Sequence, residues 1–101
     1  MAEWQLRDYR IDPKHFGDFV AAWKDGVLSL RRAAGFEVEA WSIEAESRFV
    51  WILGFCRARN VRGADRAYYG SPARSALRPD PADWTADQRT SMVQPAASGD
   101  A

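Results

Sequence analysis

One uncharged stretch decides how this chain must fold: Arg48-Phe49-Val50-Trp51-Ile52-Leu53-Gly54-Phe55-Cys56. Its aromatic and branched side chains are typical of a β-strand. Side chains alternate between the two faces of a strand, so the larger ones share one face (Phe49, Trp51, Leu53, Phe55) and the smaller ones the other (Val50, Ile52, Gly54, Cys56). Both faces are apolar, and both are therefore predicted to be buried.

The composition indicates one globular domain. The chain has 101 residues, of which 47% are hydrophobic and 28% charged. We assign residues 1–94 to a single domain and expect the small, polar tail at 95–101 to be disordered. A net charge of zero without a basic run argues against a nucleic-acid partner. The absence of an apolar run of about 18 residues argues against a membrane span. The N-terminus lacks a secretory signal pattern, and a single Cys suits a reducing compartment, so we expect a cytoplasmic protein.

The remaining elements follow from periodicity and capping residues. Strands are predicted at residues 4–11, 36–44 and 87–93, besides the opening stretch at 48–56. A long helix should begin after the N-cap Asp12 and run to about residue 34, with Gly35 beyond its end. A second helix is predicted at 61–69, with Ala64, Ala67 and Tyr68 facing inward. A short helix capped by Ser71 should end near residue 77.

The order strand, helix, strand, strand, helix, strand predicts a ferredoxin-like α+β fold. This βαββαβ arrangement is a four-stranded antiparallel sheet with both helices on one face. The other face is open, yet the central stretch is apolar on both sides. The simplest cover is a second copy, so we predict a homodimer through the sheet face. We expect the small face of the stretch to pack on the helices and the large face to meet the partner sheet or a cavity.

Several short motifs, in this order, make the chain resemble the NIPSNAP family of the dimeric α/β-barrel superfamily. The resemblance covers about residues 4 to 95. Its pieces are Gln5-Leu6-Arg7-Asp8-Tyr9, Asp12-Pro13-Lys14, Phe19 with Trp23, Gly35-Phe36, residues 49–55 followed by Arg62, Ser71-Pro72, and Arg78-Pro79-Asp80-Pro81. Two residues depart from the family pattern: Gln5 replaces the usual Glu, and Phe55 stands where Tyr is common.

The resemblance implies a dimeric α/β barrel with a pocket between each sheet and its helices or connections. It implies no particular reaction. Relatives in the wider superfamily include cofactor-free monooxygenases, haem-degrading enzymes, isomerases and polyketide cyclases.

Arg7 and Tyr9 are the candidate catalytic residues, since they lie two residues apart on one strand face. If that face lines the pocket, Arg7 could hold an anionic or enolate oxygen and Tyr9 could donate a hydrogen bond or proton. The alternative interpretation places Arg7 at a sheet edge and Tyr9 in the dimer core.

The candidate substrate-binding residues are mainly aromatic. Neighbouring strands could bring Trp41 and Trp51 together to stack on a planar ligand, although strand aromatics are more often core or interface residues. One of Tyr68 and Tyr69 should pack inward and the other toward the pocket mouth. The full substrate-binding set is Trp41, Trp51, Phe55, Tyr68, Tyr69 and Arg74.

No metal site or tightly bound cofactor is expected. With a single His and a single Cys, a multi-ligand zinc site is implausible, and His15 is expected at the surface.

Two functional hypotheses follow. The first is a cofactor-independent enzyme, of monooxygenase or cyclase type, acting on a planar, hydrophobic, oxygen-bearing metabolite of specialised metabolism. The second is a non-catalytic module that binds a small hydrophobic ligand or a partner. A cavity of about 300 Å³ or more, with Arg7 and Tyr9 pointing into it, would favour a ligand in either case.

Overall fold

The aromatic stretch forms an inner strand, β3 (Arg48–Phe55), in the computed structural model of the chain. The structure describes residues 3–55 and 61–94. With β1 (Glu3–Ile11), β2 (Glu37–Ile43) and β4 (Thr85–Val93), it builds an antiparallel sheet in the order β2-β3-β1-β4. The predicted α+β, ferredoxin-like fold is confirmed. The predictions for Cys56 and for the tail at 95–101 lie outside the described residues.

The first helix is a chain of four segments. The Asp12 carboxylate accepts the N–H of Lys14 at 3.0 Å, and a 3₁₀ turn (Pro13–His15) leads into α1 (Phe16–Ala22). The helix then widens into a π-helical turn (Trp23–Leu28) and finishes as α2 (Ser29–Ala33). Gly35 follows with a φ of 95°, which favours glycine. The caps were predictable, but the π turn was not.

The second half supplies short elements that cover one side of the sheet. They are α3 (Val61–Tyr69), α4 (Pro72–Ser75) and a 3₁₀ turn (Pro81–Trp84). Ser71 caps α4 as predicted, its hydroxyl accepting the N–H of Arg74 at 3.3 Å. Ala64 and Tyr68 are buried as expected, but Ala67 is exposed. The buried side of α3 therefore includes the half-buried Asp65 and excludes Ala67.

The predicted assignment of the two β3 faces is wrong for the small face and partly right for the large face, whose Trp51 borders a cavity. The large side chains face the helices, where the Phe49 ring lies 5.0 Å from Phe19 and the Trp51 ring lies 5.3 Å from Trp23. Large side chains bury the most apolar area where the helical layer can cover them. Gly54 makes room for the Trp4 ring on the opposite side, since a Cβ on Gly54 would lie 2.7 Å from that ring.

The described part of the chain does not cover the side of the sheet opposite the helices. We define this outer face by the side chains Trp4, Leu6, Trp41, Val50 and Ile52, which are half-buried or exposed. Beside them, Arg48 binds Asp8 through two hydrogen bonds of 2.9 and 2.7 Å. These bonds lower the pKa of Asp8. Among the described residues, no helix combines the length and the apolar character that crossing a membrane requires.

Candidate functional site

A cavity of about 640 Å³ lies between the sheet and the elements that pack over it. Its floor comes from β1, β3 and β4, its back wall from α1 and the π turn, and its sides from α3, α4 and the 3₁₀ turn before β4. The volume falls within the range typical of small-molecule sites. The lining side chains that the argument uses are Arg7, Tyr9, Trp23, Trp51, Asp65, Tyr69 and Arg74.

Arg7 is the polar centre of this cavity. It lies on β1, opposite Trp51 of β3 and Thr90 of β4, and is only 6% exposed. Its Nη1 donates to the hydroxyls of Tyr69 at 3.0 Å and Tyr9 at 3.5 Å. These two hydroxyl oxygens thus converge on one guanidinium group.

The rest of the Arg7 guanidinium is also held. Its Nε donates to Gln5 Oε1 at 2.8 Å, and its Nη2 donates to Asp65 Oδ1 at 2.9 Å. Burial alone would lower the pKa of Arg7, but the Tyr9 and Tyr69 oxygens and the Asp65 carboxylate outweigh it and raise the pKa. Arg7 is therefore a permanent cation with a fixed orientation.

A second arginine lies behind the cavity wall. Arg31, on α2, is completely buried, and its Nη1 lies 2.7 Å from the same Asp65 Oδ1. That contact is an ion pair without hydrogen-bond alignment, and none of the three guanidinium nitrogens has a hydrogen-bond partner in the described part of the chain. One carboxylate thus serves two buried guanidinium groups.

Aromatic rings take the place of hydrogen bonds around Arg31. Its guanidinium carbon lies 3.8 Å from the ring centre of Tyr68, 4.8 Å from Phe36, 5.1 Å from Tyr69 and 5.5 Å from Trp51. A desolvated cation over an aromatic face gains about 2 kcal/mol. These rings offset part of the several kcal/mol that burial of a charge costs.

Tyr69 lies among three guanidinium groups. Besides its contacts with Arg7 and Arg31, its ring centre is 5.5 Å from Arg74. Arg74 lines the cavity and is held by Asp80 through two hydrogen bonds of 3.1 Å. Burial would raise the pKa of Asp80, but Arg74 and the N–H of Ala82 outweigh it, so the pKa is lowered.

Tyr9 is held in its neutral form. It is buried between Phe19 and Trp51, whose ring centres lie 6.3 and 6.1 Å away. Burial raises its pKa, although Arg7 opposes the shift. Because the Tyr9 and Tyr69 oxygens accept from Arg7, the hydrogen of each hydroxyl remains available to a third group.

Five of the eight predicted site residues line the cavity: Arg7, Tyr9, Trp51, Tyr69 and Arg74. The alternative position of Arg7 at a sheet edge is wrong, because β1 is an inner strand. The side chains of Arg7 and Tyr9 both face the helices.

Three predicted site residues do not join this set. Trp41 pairs with Val50 and not with Trp51, which puts the two tryptophans on opposite faces of the sheet; Trp41 is 51% exposed. Tyr68 is a core residue packed on Arg31 and does not line the cavity. The Phe55 side chain lies outside the described part of the chain.

His15 lies away from the cavity, stacked on Trp84 at 5.3 Å and 3.1 Å from Asp18. Within residues 3–55 and 61–94, His, Cys, Asp and Glu side chains form no group of three that could hold a metal ion.

Arg31 and Asp65 are candidate functional residues that the sequence analysis did not single out. In the sequence, Arg31 stands beside Arg32 near the end of the long helix, where cations suit the helix dipole. A signal was present, since Trp23, Val27 and Arg31 recur every four residues on the apolar stripe. For Asp65 the signal was weaker, because a polar residue beside Ala64 is ordinary on a half-exposed helix.

Solved structures share this fold over nearly the whole chain. An uncharacterised NIPSNAP domain protein from Burkholderia xenovorans superposes with a TM-score of 0.79 at 17% identity, covering 96% of both chains. A NIPSNAP family protein of unknown function from Agrobacterium tumefaciens gives 0.79 at 13% identity, covering 93% of this chain and 87% of its own. A putative antibiotic biosynthesis monooxygenase from Bacteroides thetaiotaomicron gives 0.70 at 18% identity, covering 97% and 92%.

The TM-scores establish a shared fold, and at these low identities they establish the fold alone. No protein-family profile and no curated protein sequence matches the chain. The resemblance to the NIPSNAP family that the sequence motifs indicated is confirmed at the level of the fold.

Proposed function

We propose that this chain, which has the fold of the NIPSNAP domain proteins, binds a planar, hydrophobic, oxygen-bearing metabolite in its cavity and acts on it as a cofactor-independent enzyme. One observation carries the proposal: Arg7 and the hydroxyls of Tyr9 and Tyr69 converge within a cavity of about 640 Å³ whose walls include Trp23 and Trp51. Aromatic walls suit a flat ring system, and the polar group suits an oxygen on that ring.

The polar group can stabilise negative charge on a substrate oxygen. Two phenol O–H donors beside one buried guanidinium are groups from which an oxyanion hole can be built. An enolate or phenolate held there can react in two ways. An activated CH₂ group and O₂ give C=O and water, as in a monooxygenase; alternatively, the enolate carbon attacks a carbonyl of the same molecule and closes a ring, the new alkoxide taking back the proton. The shared fold with a putative antibiotic biosynthesis monooxygenase supports the first reaction.

The alternative is a non-catalytic binding module, and the lining residues give it one specific argument. Within the described part of the cavity there is no His, and the carboxylates are Asp65 and Asp87. Asp65 is bound to two guanidinium groups, and Asp87 is exposed at the rim. A substrate that must lose a proton would have to ionise with little help from a general base.

The proposal includes a cytoplasmic homodimer formed through the outer face. That face offers Leu6, Val50 and Ile52 to solvent on the side that this chain's helices do not cover. The cavity is on the other side of the sheet, so dimerisation and ligand binding are separate properties.

The test is turnover of a panel of planar polyphenols, followed by oxygen uptake and product absorbance. Arg7→Gln and Tyr9→Phe should each lower kcat/KM by about 10²–10³, the loss typical of one oxyanion-hole donor. Arg66→Gln and Tyr68→Phe are matched controls, since Arg66 is exposed and Tyr68 does not line the cavity. Unchanged turnover in both test variants would overturn the mechanism. Binding that depends on Arg7, without turnover of any compound, would favour the binding module.

A further inference from the structure

We infer that the cavity selects an anionic ligand, and that Arg31, which does not touch the cavity, sets this selectivity. The inference rests on the proposed function, because it assumes that the cavity binds a small molecule. It goes further by naming the charge of the ligand and the residue that determines it.

The argument starts from the charges around the inner wall. Arg7 is 6% exposed and Arg31 is fully buried. Both guanidinium groups lie against one oxygen of Asp65, at 2.9 and 2.7 Å. Two cations and one carboxylate leave one positive charge in a place that water hardly reaches. Coulomb interactions are strong there because the local dielectric constant is low.

The other charged groups that line the cavity in the described ranges, 3–55 and 61–94, do not cancel this excess. Arg74 and Asp80 neutralise each other through two hydrogen bonds. Asp87 lies at the exposed rim, where water screens its charge. The rings around Arg31 stabilise its charge without neutralising it.

The hydrogen-bonding groups around Arg7 can bind an anionic ligand. Arg7 has five N–H groups. Four of them are directed at Gln5, Tyr9, Tyr69 and Asp65, which leaves one on Nη2. The Tyr9 and Tyr69 hydroxyls accept from Arg7, so each can donate its own hydrogen to a ligand oxygen. All three groups are donors, and a charged acceptor binds them more strongly than a neutral one.

Arg31 acts through Asp65. If Arg31 were absent, Asp65 and Arg7 would form a balanced pair and the wall would be neutral. The fitting ligand is therefore a monoanion, a carboxylate, phenolate or enolate carried on a flat apolar ring, rather than its neutral counterpart.

The experiment compares two probes of equal shape, 2-naphthoate and 2-naphthamide, by titration calorimetry at neutral pH. The quantity of interest is the ratio of the amide Kd to the carboxylate Kd. This ratio cancels effects that a variant has on the folded fraction or on the cavity shape. For the wild-type protein we expect a ratio of about ten or more, since a charged acceptor replaces a neutral one.

Two variants then test the role of Arg31. Arg31→Met should lower the ratio to about three or less, because it removes the excess charge without touching the ligand. Asp65→Asn should raise the ratio above the wild-type value, because it removes the carboxylate that, among the described residues, compensates for the two buried cations. Arg66→Met, on the exposed side of α3, is the matched control and should leave the ratio unchanged.

Each of the other possible outcomes would overturn a specific part of the proposal. If neither probe binds, the proposed function fails and the inference fails with it. If both probes bind wild-type protein equally well, the cavity binds ligands but the anionic selectivity is wrong. If the carboxylate is preferred equally in wild type and Arg31→Met, the role of Arg31 is wrong. If Arg31→Met does not fold, the ratio of the wild-type protein and the ratio of Asp65→Asn still test the inference, because neither measurement needs that variant.

Discussion

The proposed function depends on a few charged residues that are buried, although charged residues usually lie at the surface. Arg31 lies on the apolar stripe of its helix and is fully buried. Arg7 lies in the middle of the sheet and faces the core. Buried ion pairs are weak sources of stability, because desolvation offsets most of their attraction. We therefore attribute the Arg7–Asp65–Arg31 group to function rather than to folding.

This attribution predicts opposite effects on stability within one ion-pair group. Arg31→Met should leave the free energy of unfolding unchanged or raise it by about 1–4 kcal/mol, because an apolar side chain suits the ring of aromatics. Asp65→Asn should lower it by about 3–5 kcal/mol, because two buried cations lose their partner. Urea denaturation measures both. Equal losses in the two variants would mean that Arg31 is held for stability.

The tyrosines give a prediction that involves pH. Burial raises the pKa of Tyr9 and of Tyr68, so both should remain neutral in the folded protein above pH 10, where a free tyrosine is half ionised. A raised folded pKa stabilises the protein fully below the unfolded value of about 10. That stability is lost as the pH rises through the folded values.

Phenolate absorbance against pH checks this prediction. Tyr9→Phe and Tyr68→Phe should each remove one late ionisation from the titration curve of the folded protein. The idea fails if Tyr9 and Tyr68 ionise in the folded protein as free tyrosines do.

At the scale of elements, caps and periodicity were enough to predict the order of strands and helices. Asp12, Gly35 and Ser71 have the predicted roles. The π turn was not predictable, because one widened turn changes no capping residue. It also changes the spacing of apolar residues along the helix very little. It nevertheless contributes Trp23 and Val27 to the cavity wall.

The faces of β3 were the least predictable feature of the elements. The sequence establishes that the faces differ in size, but which face meets the helices depends on the neighbouring strand. Trp4 fills the space above Gly54 and so directs the small face outward. The alternation of side chains within β3 cannot show which face meets the helices, because the sequence would be the same if the two faces were exchanged.

Two glycine substitutions should therefore have opposite effects. In Gly54→Ala the new methyl group would lie 2.7 Å from the Trp4 ring, and the displacement should lower stability by about 1–3 kcal/mol. Gly17→Ala is the matched control: Gly17 lies in α1 with nothing within 4 Å of its new methyl group, so stability should rise by about 0.5–1 kcal/mol. Thermal denaturation compares the two. A stabilising Gly54→Ala would contradict the proposed contact.

At the scale of the whole molecule, the sequence predicts the element order and the antiparallel α+β topology, but only part of the site. The apolar core and the order of elements leave few topologies for four strands and two helical regions. The cavity depends instead on contacts between residues far apart in sequence, such as Arg7 with Asp65 and Tyr69. Trp41 was assigned to the site because strand register is not visible in the sequence, and a shift of one residue would have placed it beside Trp51.

The outer face carries a prediction about assembly. Ile52→Lys places a charge in the middle of this face, opposite Leu6 and Glu39, and should convert a dimer into a folded monomer. Sedimentation velocity at micromolar concentration measures the change. Ala33→Lys, at the exposed end of α2, is the control and should remain dimeric. A wild-type protein that sediments as a monomer would contradict the dimer.

The most direct test of the account is a crystal structure of the protein with 2-naphthoate. We expect the ring between Trp23 and Trp51 and the carboxylate within hydrogen-bond distance of the Tyr9 and Tyr69 hydroxyls or of Arg7 Nη2. A probe bound only at the outer face, beside Trp41, with the cavity holding none of it, would contradict the central claim that the Arg7 cavity is the ligand site.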